Sequence, residues 1–206
     1  MNYEILASFL LASMALTIAP GPDIIYVLMQ SLSNGKKYGL ITSCGLVSGI
    51  LIHTSLVAFG VSAIIRESKT LFLSIKIFGA LYLIYLAYKV YKSGKSMVPE
   101  HQTVPRKKLS ALYKQGFLMN VLNPKVSLFF LAFFPGFLFT SALSNVSQFF
   151  ILGFIFMVQA LLIFGLVSLS AGFVADHFIK NQKAAIILKY MQIVVFLGIA
   201  LFLLLP

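Results

Sequence analysis

The sequence has few charged residues, and acidic residues are the scarcest. Only 10% of its 206 residues are charged and five are acidic, whereas 60% are hydrophobic. A soluble domain is typically about half apolar and a quarter charged. A water-soluble fold of this size could not bury the excess. The composition therefore excludes an ordinary soluble domain and predicts a protein that has a lipid bilayer as its solvent.

The sequence also lacks the residue clusters that catalysis, metal binding and nucleotide hydrolysis require. Cys44 is the one cysteine, so the chain cannot form an internal disulfide. The three histidines and five acidic residues form no convincing catalytic constellation and show no metal-ligand spacing. No GxxxxGK[ST] phosphate loop occurs. We therefore expect no enzyme activity and no metal, and an ion gradient is the remaining energy source for uphill transport.

Six apolar runs of about membrane-spanning length account for almost the whole chain. They predict helices near residues 5–30, 39–62, 71–91, 114–139, 147–172 and 185–205. The first 20 residues carry Glu4 in place of a basic region and show no clear cleavage site, so they are interpreted as the first span rather than a signal peptide. The predicted fold is an all-α membrane protein with a single transmembrane domain, residues 1–206.

One long polar stretch, residues 92–113, separates a first half, 1–91, from a second half, 114–206. Its lysines and Arg106 predict a flexible cytoplasmic linker, and binding of anionic lipid is the alternative interpretation. Eleven basic residues lie in the loops on this side, against Arg66 and Lys69 on the other. The positive-inside rule therefore places both termini outside. Topology thus accounts for the net charge of +11, and no nucleic-acid partner is expected.

The first helix of each half contains residues that break helices. They are Pro20, Gly21 and Pro22 in the first span, and Pro124 and Pro135 in the fourth. Each proline removes a backbone donor and clashes with the preceding turn, so both helices should kink or unwind there. Similar halves with three spans each would insert in opposite directions. Broken helices at corresponding positions point to a transporter's binding site, and we predict an inverted repeat of two three-helix halves.

A charged residue follows the break in each half. Asp23 comes directly after Pro22, and Lys125 directly after Pro124. A charge near the bilayer centre costs about 2.5–3.5 kcal/mol on insertion scales, so it needs a partner, a wet cavity or a function. We predict that both residues line one polar cavity, where Asp23 receives an ammonium group or a proton and Lys125 receives a carboxylate. The alternatives are that the two residues only pair with each other, or that Asp23 lies near the membrane surface.

Other residues of the same helices are secondary candidates. Asn120 and Asn123 offer side-chain amides to the substrate, although Asn123 could equally satisfy carbonyls freed at the break. Gly45, Gly49 and His53 share one face of the second span, and the two glycines predict close helix packing. His53 is either a proton relay or a hydrogen-bonded interior histidine.

Several motifs, taken in order along the chain, form one recognisable pattern. They are Ala19-Pro20-Gly21-Pro22-Asp23; Gly45, Gly49 and His53; Lys76 with Gly79-Ala80-Leu81-Tyr82-Leu83; and Gly116-Phe117-Leu118 with Asn120, Asn123-Pro124-Lys125, Phe129-Phe130 and Pro135. Together they resemble the LysE/RhtB family of small bacterial amino-acid exporters. Gly136 departs from that pattern, in which glutamine is common. The resemblance implies export of amino acids or close derivatives across the bacterial inner membrane, usually by the proton motive force and with no cofactor.

The leading prediction is a secondary transporter in which Asp23, and as a weaker candidate His53, take part in proton coupling. A non-transporting membrane subunit or scaffold is the alternative, and an intramembrane enzyme is less favoured. A scaffold would explain the helices but not the charges beside paired breaks. The expected partners are a small amino-acid substrate and membrane lipid, and the sequence leaves homo-oligomerisation open.

Overall fold

The computed structural model describes residues 2–93, 104–175 and 182–204, and all regular structure in these ranges is helical. The helices are α1 (Tyr3–Ile18), α2 (Pro22–Asn34), α3 (Lys36–Ser55), α4 (Ser62–Glu67), α5 (Lys69–Lys92), α6 (Leu109–Val121), α7 (Pro124–Leu128), α8 (Asn145–Leu169), α9 (Ala171–Val174) and α10 (Gln182–Leu204). Leu56–Val61 and Phe129–Phe133 are π-helical, and Phe134–Phe137 is a 3-10 turn. The predicted all-α fold class is confirmed.

Four helical segments of the described chain are long and apolar enough to cross a membrane unaided. They are Lys36–Ile64, Lys69–Lys92, Asn145–Leu169 and Ile186–Leu204. Two bent pairs of helices are long and apolar enough when taken together: α1 with α2, bent by 57°, and α6 with Pro124–Phe137, bent by 46°. Bends of this size are typical of proline, which removes one hydrogen bond of the helix and crowds the turn before it. With each bent pair counted as one span, six spans lie where the apolar runs predict them.

The observed bounds correct several details of the sequence prediction. α6 begins at Leu109, so residues 109–113 of the predicted linker are helical. The 3-10 turn at Phe134–Phe137 is the last helical turn of its span, so Pro135 ends the helix rather than interrupting its middle. The centre of the predicted linker, 94–103, lies outside the described residues, as does 176–181; Lys95 and Lys180 of the charge count lie in these two segments.

Phenylalanine rings pack around the segment Phe129–Phe137, which follows the second break, and form part of the core. Phe130 stacks on Phe134 with ring centroids 4.2 Å apart, and Phe9 of α1 meets Phe134 edge-on at 5.1 Å. Phe9 and Phe129 are completely buried. Irregular backbone at membrane depth is tolerated only where it is buried in protein or lines a cavity. This aromatic packing therefore buries the π-helical and 3-10 segment Phe129–Phe137 within the protein.

Helices α3 and α6 approach each other at glycines. A Cβ atom on Gly45 would lie 2.1 Å from the carbonyl oxygen of Tyr113, and one on Gly116 would lie 2.5 Å from that of Thr42. One turn further along α3, a Cβ atom on Gly49 would lie 2.6 Å from Asn120 Oδ1. Only glycine allows backbones this close. The two helices stay in close contact along α6 as far as Asn120, next to the second break.

The described loops gather at two ends of the molecule. At one end, the Asn2 N–H donates to the Phe139 carbonyl at 3.0 Å. At the other, Asn34 Nδ2 donates to the Val104 carbonyl at 3.1 Å, and the Arg106 guanidinium lies 5.2 Å from the centroid of the Tyr38 ring. The last residues of the basic linker therefore lie on the turn between α2 and α3, at the end where the basic loops are predicted.

Candidate functional site

The first break separates α1 from α2 at Ala19, Pro20 and Gly21. In a continuous helix, the N–H of residue 20 would donate to the Leu16 carbonyl, but proline has no N–H. The Lys125 ammonium donates to that carbonyl instead, with Nζ 2.6 Å from the Leu16 oxygen and 3.0 Å from the Ala19 oxygen. A cation at the C-terminal end of a helix is also favoured by the helix dipole. Lys125 therefore replaces, from another span, the donor that Pro20 removes.

The second break repeats this arrangement with a different side chain. Pro124 removes the N–H that would donate to the Asn120 carbonyl. His53 Nε2 lies 3.1 Å from this oxygen, and the Asn123 N–H also donates to it at 3.0 Å. Since a carbonyl only accepts, the hydrogen bond requires the proton on Nε2. His53 is 4% exposed and packs on the Phe130 ring, so it is a buried histidine bonded to the break.

Asn123 joins the two breaks. Its Nδ2 donates to Asp23 Oδ2 at 2.6 Å, and its Oδ1 accepts from the Lys125 N–H at 3.0 Å as the cap of α7. Pro22 and Pro124 each begin a helix, so Asp23 and Lys125 are both second residues of the helix that follows a break. A carboxylate is favoured at that position by the helix dipole, whereas an ammonium is not. The ammonium instead lies at the C-terminal end of α1.

Asp23 and Lys125 line the same cavity, together with Thr17 and Asn120. Among the described residues, Asp23 is bonded through Asn123 and Lys125 through backbone carbonyls, so the side chains are not simply a direct ion pair. Asp23 is only 9% exposed, so its carboxylate is largely enclosed by protein. Its Oδ1 atom and Asn120 Oδ1 have no hydrogen-bond donor within the described chain. Two residues that line the cavity therefore each keep a buried oxygen without a donor.

The cavity is too small for an amino acid in this conformation. The volume of the cavity is about 20 Å³, which is room for about one water molecule. Much of its remaining wall is aliphatic or aromatic, from Ile50, Phe156 and Phe164 among others. Ligand sites typically enclose about 300–1,000 Å³. An amino acid could therefore enter this cavity only if the surrounding helices moved apart.

Sequence reasoning missed Gln159 as a neighbour of the site. This residue of α8 is 5% exposed, and its Nε2 donates to Thr17 Oγ1 at 3.0 Å, one residue from the Leu16 carbonyl. Its Oε1 atom has no donor among the described residues. A buried amide in a long apolar span is costly, so its position in the fifth apolar run was the available signal.

Other predicted residues lie beside the cavity or away from it. His53 contacts the second break at the Asn120 carbonyl, and Gly45 and Gly49 face α6. Pro135 lines a separate cavity with Lys76 and Gly136. Within the described ranges, no three of the His, Cys, Asp and Glu residues lie where they could hold one metal ion.

The chain is similar to known translocators over nearly its whole length. The sequence model of the family described as "LysE type translocator" matches residues 14–206. The leucine efflux proteins of Salmonella choleraesuis and Salmonella typhimurium are each 28% identical to the chain over 196 residues, which cover 94% of this chain and 91% of each relative. That of Klebsiella pneumoniae is 26% identical over 193 residues, with the same coverage. No solved structure matches the chain.

Proposed function

Since this chain belongs to the LysE type translocator family, we propose that it exports an amino acid with an apolar side chain across the bacterial inner membrane, in exchange for protons. It is a multi-pass membrane transporter rather than an enzyme. Efflux of leucine is what the names of its relatives state for those proteins. The observation that carries the proposal is the small cavity beside two helix breaks that is lined by both Asp23 and Lys125.

The chemistry of the cavity suits the two ends of a free amino acid. Asp23 Oδ1 and Asn120 Oδ1 are acceptors that an α-ammonium group would satisfy. The Lys125 ammonium has three donors and uses two on carbonyls, so one is available to the α-carboxylate. The apolar wall with Ile50 and Phe156 favours a leucine-like side chain over a charged one.

A proton and the substrate's ammonium group compete for Asp23 in this proposal. A carboxyl that has taken a proton no longer attracts an ammonium group by charge, so the site holds one cation at a time. Alternating occupation of this kind exchanges an amino acid leaving the cell for a proton entering it. The two halves would open on alternate sides by moving Lys125 and Asn123 away from the first break.

Efflux from proteoliposomes tests the proposal. Vesicles loaded with labelled leucine, threonine and lysine are diluted into medium at the same pH or at a lower pH. We expect leucine to leave selectively and faster when the outside is acidic, because protons then enter as the amino acid leaves. Loaded vesicles without the protein, and proteoliposomes at equal pH on both sides, are the controls.

Each other outcome contradicts a defined part of the proposal. Saturable leucine efflux that ignores the pH gradient would remove proton coupling but keep export. Preferential efflux of lysine or threonine would remove the apolar substrate class. If protein shown to be folded and inserted moved none of the three, export of these amino acids would be ruled out, and the scaffold interpretation would gain support.

A further inference from the structure

The carbonyl oxygens of Leu16 and Ala19 hold an ammonium group at the end of α1. Lys125 Nζ lies 2.6 and 3.0 Å from these two oxygens. A Cβ atom on Gly21 would be 3.6 Å from Nζ, so the ammonium lies against backbone that carries no side chain. Asp23 lines the same cavity and leaves Oδ1 without a donor among the described residues. Two backbone oxygens therefore hold the ammonium, and the Asp23 carboxylate lines the same cavity without contacting it directly.

This set of oxygens suits a small inorganic cation as well as an ammonium group. Carbonyls at the C-terminal end of a broken membrane helix are the ligands with which transporters coordinate sodium. The negative end of the helix dipole and the nearby carboxylate favour any single positive charge there. Lys125 contributes that charge from α7, where an ammonium at the second position gains nothing from its own helix.

We propose that the Leu16 and Ala19 carbonyl oxygens, in the cavity that the Asp23 carboxylate also lines, form a site for a monovalent cation, which the protein fills with its own Lys125 ammonium. A sodium or potassium ion binds at this site once the ammonium is removed. The wild-type protein therefore needs neither ion here, since its cation is covalently attached. The cation binds in the protein without substrate, so its binding does not depend on amino-acid export.

The experiment measures the melting temperature of purified Lys125→Ala protein in sodium, potassium or choline chloride at equal ionic strength. Choline is too large for the site and serves as the reference cation. We expect the wild type to melt at the same temperature in all three salts. The variant should be less stable in choline, and a saturating alkali ion should raise its melting temperature by about 5 °C or more. Whichever ion has the larger effect is the one that fits.

Lys189 offers a matched control. Its Nζ also donates to two backbone carbonyls, those of Tyr91 and Ser93, at 2.8 and 2.6 Å, but these hydrogen bonds are exposed. Lys189→Ala should therefore melt at the same temperature in all three salts. In the double variant Asp23→Asn with Lys125→Ala, the alkali-ion effect should disappear, because the carboxylate charge is gone.

Lys125→Gln provides a second test of the cation site if Lys125→Ala does not fold. Lys125→Gln removes the charge but keeps an amide that can donate to the Leu16 carbonyl, and alkali ions should still stabilise it over choline. Equal melting in all salts for every folded Lys125 variant would overturn the site. An equal sodium effect in Lys189→Ala would show a general salt effect and would also overturn it. So would failure to recover either Lys125 variant in sodium medium, since sodium should replace the ammonium.

Discussion

Asp23 uses one carboxylate oxygen to accept from Asn123 and leaves the other without a donor among the described residues. Asparagine has nearly the same shape, so Asp23→Asn removes the charge with little change in packing. We expect export to fall about 10- to 100-fold, because a hydrogen bond to a charged group contributes about 1.5–3 kcal/mol and each 1.36 kcal/mol is tenfold in rate. The residual efflux should no longer respond to a pH gradient.

Efflux at equal membrane abundance measures this effect. Glu4→Gln is the matched control, since Glu4 is an exposed acidic residue in the first turn of α1. It should export at the wild-type rate. Normal, gradient-driven export by Asp23→Asn would exclude Asp23 from both of its proposed roles.

His53 is the other titratable side chain at a break, and its geometry favours a positioning role. His53→Leu would remove one of two donors to the buried Asn120 carbonyl, and the Asn123 N–H would still donate to it. Loss of one such hydrogen bond costs about 0.5–1.5 kcal/mol, so the melting temperature should fall by roughly 1–6 °C. His53→Gln restores an N–H donor and should recover both stability and gradient-driven export. A stable His53→Gln protein that exports without responding to pH would instead identify the histidine as a proton relay.

At the scale of elements, the contact of α3 with α6 is set by glycines rather than by complementary large side chains. Gly45→Ala would place a methyl group 2.1 Å from the backbone oxygen of Tyr113, which cannot move aside without shifting α6. Overpacking of this kind typically costs about 1–3 kcal/mol. We therefore expect a lower melting temperature and weaker export, since α6 leads directly into the second break.

Gly198→Ala in α10 is the control for the glycine contact. A Cβ atom there meets nothing within 4 Å. Alanine favours a helix over glycine by up to about 1 kcal/mol, so this variant should be equally stable or slightly more so. Equal melting temperatures for Gly45→Ala and Gly198→Ala would show that the close contact of α3 with α6 is not required.

The helix breaks were predictable from the sequence, but the side chains that donate to the freed carbonyls were not. Pro20 and Pro124 identify the Leu16 and Asn120 carbonyls as lacking a helical donor, because a proline always removes the N–H four residues on. Nothing local identifies the new donor. Lys125 lies 109 residues from Leu16 along the chain, and only the packing of α7 beside α1 brings its ammonium there.

At the scale of the whole molecule, the orientation in the membrane remains a prediction from loop charge. Single cysteines in a Cys44→Ser background can test it, with Ser141→Cys near the N-terminal end and Ser110→Cys at the start of α6. An impermeant maleimide should label Ser141→Cys in intact cells and Ser110→Cys only after the cells are permeabilised. Both are exposed serines, so they form a matched pair. The reverse pattern would place both termini inside.

The sequence alone determined the positions and order of the long apolar helical segments, because an apolar run of about 20 residues has few alternatives to a membrane helix. It also determined where the helices break and that Asp23 and Lys125 follow those breaks. The tertiary structure alone decided which groups meet: Lys125 with the α1 carbonyls, Asn123 with Asp23, and His53 with Asn120. The physical reason is that hydropathy and proline act locally, whereas a buried donor finds its acceptor only through the packing of helices distant in the chain.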